Sequence, residues 1–363
     1  MQFVLSRAEY NIEGDGVRDC FSEVRDAVAA VRTGHSIAGA LPFDLADPAA
    51  LIEPEHLIRR QGPWRPRNEL PELPPVHLGE QLPSASEHVE RVRALVESLR
   101  AGEARKVVLA RALTLYAATP VPPLAILASL VGNDPTGNGY AVDLTAAGAA
   151  YAGKYLVGSS PELLVRRRGT TVECHPFAGT AARSSDPAAD AVIAEQLAAS
   201  AKDQAEHRFV VDEIRAALEP FCTSLHVPET PRLSSTPQLW HLSSPITGVL
   251  RDPATTALDL ALALHPTPAV AGVPRDAAMA AISRIEGPRG FYAGAVGWTD
   301  SSAEGSYGDG EWMVAIRGLE LAADGLSAVA TAGGGIVEAS DPDAELAETT
   351  AKFRTVLSAF GLG

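Results

Sequence analysis

The chain reads as an α+β protein built on large antiparallel sheets, and three observations predict that class. Strand-like runs at 139 to 145, 149 to 158, 163 to 167 and 171 to 178 follow one another too closely for crossover helices, so they pair as antiparallel hairpins. Helical patterns fall in blocks of their own, which argues against a doubly wound parallel sheet. The 363 residues, 46% of them apolar, are enough to bury one substantial core.

Taken in order, residues 1 to about 80 carry mixed short strands, a helix over 18 to 32 ("RDCFSEVRDAVAAVR"), and a Pro-rich piece, "RQGPWRPRNELPELPPVHLGEQLP", that predicts extended connection. An amphipathic helix over "SEHVERVRALVESLRAGEAR" leads into "KVVLARALTLYAA", whose β-branched and apolar content predicts a strand from Lys106. A helix over 122 to 131 and the turn "GNDPTGNG" precede the hairpin runs. The stretch 187 to 219 has apolar residues at helical spacing and predicts one long helix ending at Pro220. A strand around 233 to 250, helices near 255 to 264 and 274 to 285, strands at 291 to 299, 311 to 322 and 326 to 332, and a helix from about 342 to 359 complete the reading.

The formal charge is −15, from 45 acidic and 30 basic residues. It argues against nucleic-acid and anionic-membrane partners, which need a basic face. An anionic substrate would need local cations or a metal to overturn that field. Cys20, Cys174 and Cys222 match no zinc or redox spacing, which predicts a reducing compartment without disulfides. The opening "MQFVLSRAEYNIEGDG" shows no signal-peptide pattern, and no run approaches the ~20 apolar residues of a membrane span, so a soluble cytoplasmic protein is expected.

Two acidic pairs at i,i+3 spacing stand out: Asp203 with Glu206, and Glu345 with Glu348. On a helix each pair shares a face. Each pair alone fits a solvated surface; together they could supply carboxylate oxygens to Mg²⁺, which binds through one or two protein carboxylates, waters and its substrate. Lys106 opens an apolar strand, either as a lysine snorkelling to water or as a desolvated base. Glu162 follows Ser160 and Pro161, either as a first-turn acid of a capped helix or as an acid with a displaced pKa opposite such a base. Three glycines in "TAGGGIVEASDP" make a turn or offer bare amides to a carboxylate. Arg317 interrupts a β-type run, on a solvated face or aimed at an anion.

In order along the chain, "KVVLAR", "GSSPELL", "PFAGT", "AKDQAEH", "LWHLSSPITG", "LHPTPAVAG", "GPRGFYAGAVGW", "VAIR", "AGGGIV" and "ELAETTAKF" resemble the chorismate-utilising enzymes, and among them the isochorismate synthases. The resemblance covers residues 88 to 362, with residues 1 to 80 matching loosely. It implies a single domain over 1–363, of two related antiparallel halves with helices outside, the anthranilate synthase component I-like fold, and a Mg²⁺ site between them. It further implies Lys106 as the base that activates water for attack at the 2-position of chorismate, and Glu162 as the acid that protonates the departing 4-hydroxyl. Glu206 and Glu348 become metal ligands, with Glu345 and Asp203 on metal-bound waters. The ring carboxylate is expected on Mg²⁺, Gly179 and Lys352, and the enolpyruvyl carboxylate on Arg317, Tyr292 and Gly333, with Thr180 and His241 lining the site.

Relatives that make aminodeoxychorismate carry a Lys where this chain has Ala178, and anthranilate and salicylate synthases usually carry Thr where it has Ala269. The resemblance therefore implies an enzyme that stops at isochorismate, with a salicylate synthase as the alternative. The expected partner is chorismate alone, with a monomeric protein and no amidotransferase subunit.

Overall fold

The computed structural model describes residues 1–301 and 307–362. Two large sheets and a small one account for the described strands, and every pairing among them is antiparallel. The first sheet has ten strands, with Lys106–Ala117, Ser327–Ile336, Gly318–Leu321, Tyr155–Gly158 and Gly139–Asp143 side by side. The second has nine, centred on Thr171–His175, Leu163–Arg168, Asp309–Val314 and Ala295–Asp300. Three short strands, Phe177–Ala182, Leu239–Ser243 and Arg232–Ser235, make the third.

The inner faces of the large sheets meet in an apolar core to which Phe3, Leu5 and Tyr140 of the first and Val296, Trp298 and Met313 of the second contribute. Helices cover the outer faces: Pro123–Asn133 and Pro342–Ser358 pack on the first sheet, and Ala257–Leu264 on the second. This layering buries most of the apolar side chains, which is what makes a sandwich with outer helices stable. The N-terminal region belongs to the same domain, since Phe3–Ser6, Tyr10–Asp15 and His56–Gln61 extend one sheet while Asp19–Phe21, Ile37–Leu41 and Ala50–Glu53 extend the other.

Several elements differ from the sequence reading. The expected helix over 18 to 32 begins at Val24, after the strand Asp19–Phe21. The Pro-rich connection ends in a strand, Val76–Leu82, that pairs with Lys106–Ala117. The long helix over 187 to 219 is two, Pro187–Ala199 and Ala201–Leu218, because Ser200 turns extended and its Oγ accepts from the Asp203 N–H as a fresh N-cap. Around 149 to 158 only Tyr155–Gly158 is strand, and the run 233 to 250 is three strands. The run 311 to 322 splits into Asp309–Val314 and Gly318–Leu321, which belong to different sheets.

That last break positions the site. Two of the places where the chain passes from one large sheet to the other, 159–162 and 315–317, are neighbours because Gly158 pairs with Gly318 on one side and Leu163 with Met313 on the other. The Ser159 N–H donates to Arg317 O at 3.0 Å, and the Val314 N–H to Glu162 O at 3.1 Å. Glu162 and Arg317 thus stand on two clasped crossings at the seam of the sandwich.

Candidate active site

Glu162 does not begin a helix. The Ser160 Oγ accepts from the Glu162 N–H at 3.2 Å to form a tight turn, and the strand starts at the next residue. The turn points Glu162 inward, where only 3% of it is exposed. Burial raises its pKa to about 7, against lowering by Lys106, the Phe177 N–H, Arg317 and Lys352. Near neutral pH a large share of this carboxyl is protonated and able to donate.

Arg317 holds φ at +56, an unusual conformation for a residue with a side chain. The cost is accepted where surrounding contacts over-determine the backbone. Its guanidinium is buried, and burial lowers its pKa against the pull of Tyr292, Glu348 and Glu162. Nη1 has no hydrogen-bonding partner among the described residues, and Nη2 lies 3.5 Å from His241 Nε2. Because arginine only donates, His241 accepts at Nε2 and donates from Nδ1 to Thr180 Oγ1 at 3.0 Å. Burial, Arg317 and Lys352 keep that imidazole neutral, its pKa well below the ordinary value.

These groups line one cavity. It brings together Glu162, Gly179, Thr180, Glu206, His241, Ala269, Tyr292, Arg317, Gly333, Glu348 and Lys352, eleven of the fourteen residues singled out from sequence. Lys106 stands behind this wall, fully buried, so it does not snorkel to water. Its Nζ is 2.9 Å from Glu206 Oε1, a close ion pair whose angle falls outside hydrogen-bond geometry. Glu345 and Asp203 do not reach the lining: the Asp203 carboxylate accepts from the Ser200 hydroxyl at the helix start, and Glu345 Oε1 accepts from Ser340 at 2.7 Å.

The three glycines after Ala332 lie inside the strand Ser327–Ile336, not in a turn. Each makes room for a different site residue. A Cβ would stand 2.9 Å from the Tyr292 hydroxyl at Gly333, 2.9 Å from Glu345 Oε2 at Gly334 and 2.1 Å from Glu206 Oε1 at Gly335.

Three of the four expected metal-site carboxylates have a lysine against them. Besides Lys106 on Glu206, Lys352 Nζ is 2.5 Å from Glu348 Oε1 and Lys202 Nζ is 2.7 Å from Glu345 Oε1. Sequence reasoning passed over Lys202, whose only signal was its place beside Asp203 in "AKDQAEH". Burial raises the Glu206 pKa, but Lys106, Lys202 and Lys352 outweigh it and the net shift is downward. Burial and Glu348 raise Glu345 to about 7 despite Lys202 and Ser340. Burial raises Asp203 as well, with Ser200 and Lys202 opposing.

Among the described residues no three acidic, His or Cys side chains form a ready-made metal cage. The donor set suits Mg²⁺ nonetheless, because that ion needs one or two carboxylates plus waters and substrate oxygens. Glu206 and Glu348 face one cavity, and Glu345 Oε2 is buried without a hydrogen-bonding partner. Four cations here (Lys106, Lys202, Lys352, Arg317) meet five acids (Glu162, Asp203, Glu206, Glu345, Glu348), so the side chains alone carry no positive excess to receive a dianion. A divalent cation would supply it.

The family model for chorismate binding enzymes matches residues 56–361. A Mycobacterium tuberculosis relative designated MenF is 51% identical over 99% of this chain and 96% of its own length. The isochorismate synthase DhbC of Bacillus subtilis is 42% identical over 93% of this chain and 84% of its own. Among solved structures, MenF, the menaquinone-specific isochorismate synthase of Escherichia coli, superposes with a TM-score of 0.84 at 26% identity, covering 99% of this chain and 88% of that one.

Proposed function

Since the chain belongs to the family of chorismate-binding enzymes, we propose that its cavity converts chorismate to isochorismate, an isomerisation in which the ring loses its 4-hydroxyl and gains one at the 2-position. The observation that carries the reading is the placement on adjoining crossings of a buried Glu162, its pKa raised to about 7, and a buried Arg317 whose Nη1 has no hydrogen-bonding partner among the described residues. One supplies a proton and the other a fixed positive charge for a carboxylate.

In this reading the enolpyruvyl carboxylate sits against Arg317, Tyr292 and the Gly333 amide, and the ring carboxylate near Gly179 and Lys352. The uncharged amine form of Lys106 takes a proton from the attacking water as the new C–O bond forms at the 2-position. The ring double bonds shift, the C–O bond at the 4-position breaks, and Glu162 gives its proton to the departing oxygen. The neutral His241, held by Thr180, keeps Arg317 in place. Mg²⁺ held by Glu206 and Glu348, with Glu345 and Asp203 on its waters, would neutralise the ring carboxylate. Ala269 and Ala178 belong to the wall around the ring, and neither offers a nucleophile or a hydroxyl.

A monomer acting without an amidotransferase, in the cytoplasm, with its product entering menaquinone or siderophore synthesis, completes the proposal. No helix among the described residues is long and apolar enough to cross a membrane. The test is incubation with chorismate and Mg²⁺, with products resolved by chromatography and pyruvate followed by a coupled lactate dehydrogenase assay. Isochorismate in equilibrium with chorismate is the expected result. Salicylate and pyruvate formed as fast as chorismate disappears would assign a salicylate synthase instead, and no turnover would overturn the reading.

A further inference from the structure

The strand that carries Lys106 has an unusual edge. Gly272–Val273 pairs with it at Lys106 and Val107, and Val76–Leu82 pairs from Ala112 onward. Between them, the Val108 N–H donates to Ala271 O, while Val108 O and the Ala110 N–H meet side chains instead of a strand. Glu286 Oε1 accepts from the Ala110 N–H at 2.7 Å, and Arg289 Nη2 donates to Val108 O at 2.9 Å. Arg289 Nη1 donates to Val270 O at 2.8 Å, and its Nε and Nη2 grip the Glu286 carboxylate, each at 2.8 Å. Both side chains are buried, at 3% and 9% exposure. The guanidinium also lies 4.5 Å from the Phe43 ring centre and 5.8 Å from that of Tyr292, whose N–H donates to Arg289 O at 3.2 Å.

We propose that Arg289, locked to Glu286, is a positioning residue for the substrate pocket: one guanidinium sets the relative placement of Val108, Val270 and Tyr292, which come from three separate segments and all line the cavity. Arg289 itself is not part of that lining. It acts through the groups it holds, above all the Tyr292 ring against Gly333. Only a planar fork can serve two carbonyls and both carboxylate oxygens at once. A lysine ammonium has three donors at a single point and releases at least one of the clamped segments.

The inference rests on the chorismate reading, so wild type is run in the same assay. kcat and KM for chorismate are measured for wild type, Arg289→Lys, Tyr292→Phe and the double variant, with thermal melts of each. The expected result is a folded Arg289→Lys protein whose KM rises on the order of tenfold or more, as misplacement of a substrate-positioning group does, with a smaller fall in kcat. In the double variant the KM effect should be clearly smaller than the product of the two single effects, because both act through one contact. If Arg289→Lys does not fold, Glu286→Gln, which keeps an acceptor for Ala110 but loosens the grip on Arg289, should raise KM in the same direction. Unchanged kcat and KM in the folded variant, or KM effects that multiply, overturns the clamp. A wild-type protein that leaves chorismate untouched overturns the functional reading instead.

Discussion

Replacing Glu162 by Gln should abolish most activity and at the same time make the protein more stable at alkaline pH, and the second effect can be worked out from the structure. The Glu162 carboxyl moves from an ordinary 4.5 in the unfolded chain to about 7 in the fold, chiefly through burial. Because the folded pKa is the higher one, the folded state binds more protons than the unfolded state between these values, and stability falls as pH rises through that window. At about 1.4 kcal/mol per pH unit, the deprotonated Glu162 weakens the fold by roughly 3 kcal/mol above pH 7 relative to pH 4.5. The amide of the Glu162→Gln variant stays neutral throughout. The variant should therefore gain on wild type by up to about that amount as pH is raised from 5 to 8. Glu345, also raised to about 7, and the buried His88, His207 and His265, lowered to about 4, titrate in both proteins and largely cancel in the difference. The assay is urea unfolding of both proteins in EDTA at several pH values, read by fluorescence. In parallel, turnover of chorismate should drop by at least ~10²-fold, as expected for loss of a positioned proton donor, and wild-type turnover should decline as pH rises through about 7. A stability difference that stays flat from pH 5 to 8 would refute the claim that Glu162 is held protonated by burial, and near-normal turnover by the variant would remove it from the chemistry.

Four further outcomes follow from the site. Gly335→Ala places a methyl 2.1 Å from Glu206 Oε1 and should dislodge the Lys106–Glu206 pair; activity should vanish while the far-UV spectrum persists, and a fully active variant would show that the pair is not needed where it stands. Lys202→Met leaves the buried Glu345 without its ammonium, which should lower metal-free stability by about 2 kcal/mol and make the thermal shift on adding Mg²⁺ larger than in wild type; an equal or smaller shift contradicts the role of Lys202 as a stand-in cation. Glu348→Gln and Glu206→Gln should fold yet lose turnover, and EDTA should silence wild type until Mg²⁺ is restored; full activity in a metal-free sample would end the Mg²⁺ proposal. Ala269→Thr adds bulk and a hydroxyl beside the ring and should produce measurable pyruvate, read by the lactate dehydrogenase coupling, whereas absence of pyruvate would show that this wall position does not select the product.

What could be read from sequence alone is what depends on near neighbours along the chain. The β-branched run after Lys106 and the crowding of strands into hairpins sufficed for an α+β fold, because local pattern reports which side of an element is buried, whereas most of the eleven residues that share one cavity were legible only through the ordered motifs and the family they resemble. Tertiary structure decided the rest. "MVAIRGLEL" looks like one strand, since nothing in its composition reveals that Arg317 will turn at φ +56 and send the two halves into different sheets; that choice is made by pairing with strands some 150 residues away. The Ser-Ser-Pro turn before Glu162 has the residues of a helix start and becomes a crossing for the same reason. The pairing of Lys106, Lys202 and Lys352 with three carboxylates, the raised pKa of Glu162, the separate task of each glycine after Ala332, and the grip of Arg289 on three segments all depend on distances between groups far apart in sequence. Periodicity carries no information about such distances, because electrostatic and steric terms act through space and the chain's path through space is set only when the sheets close on each other.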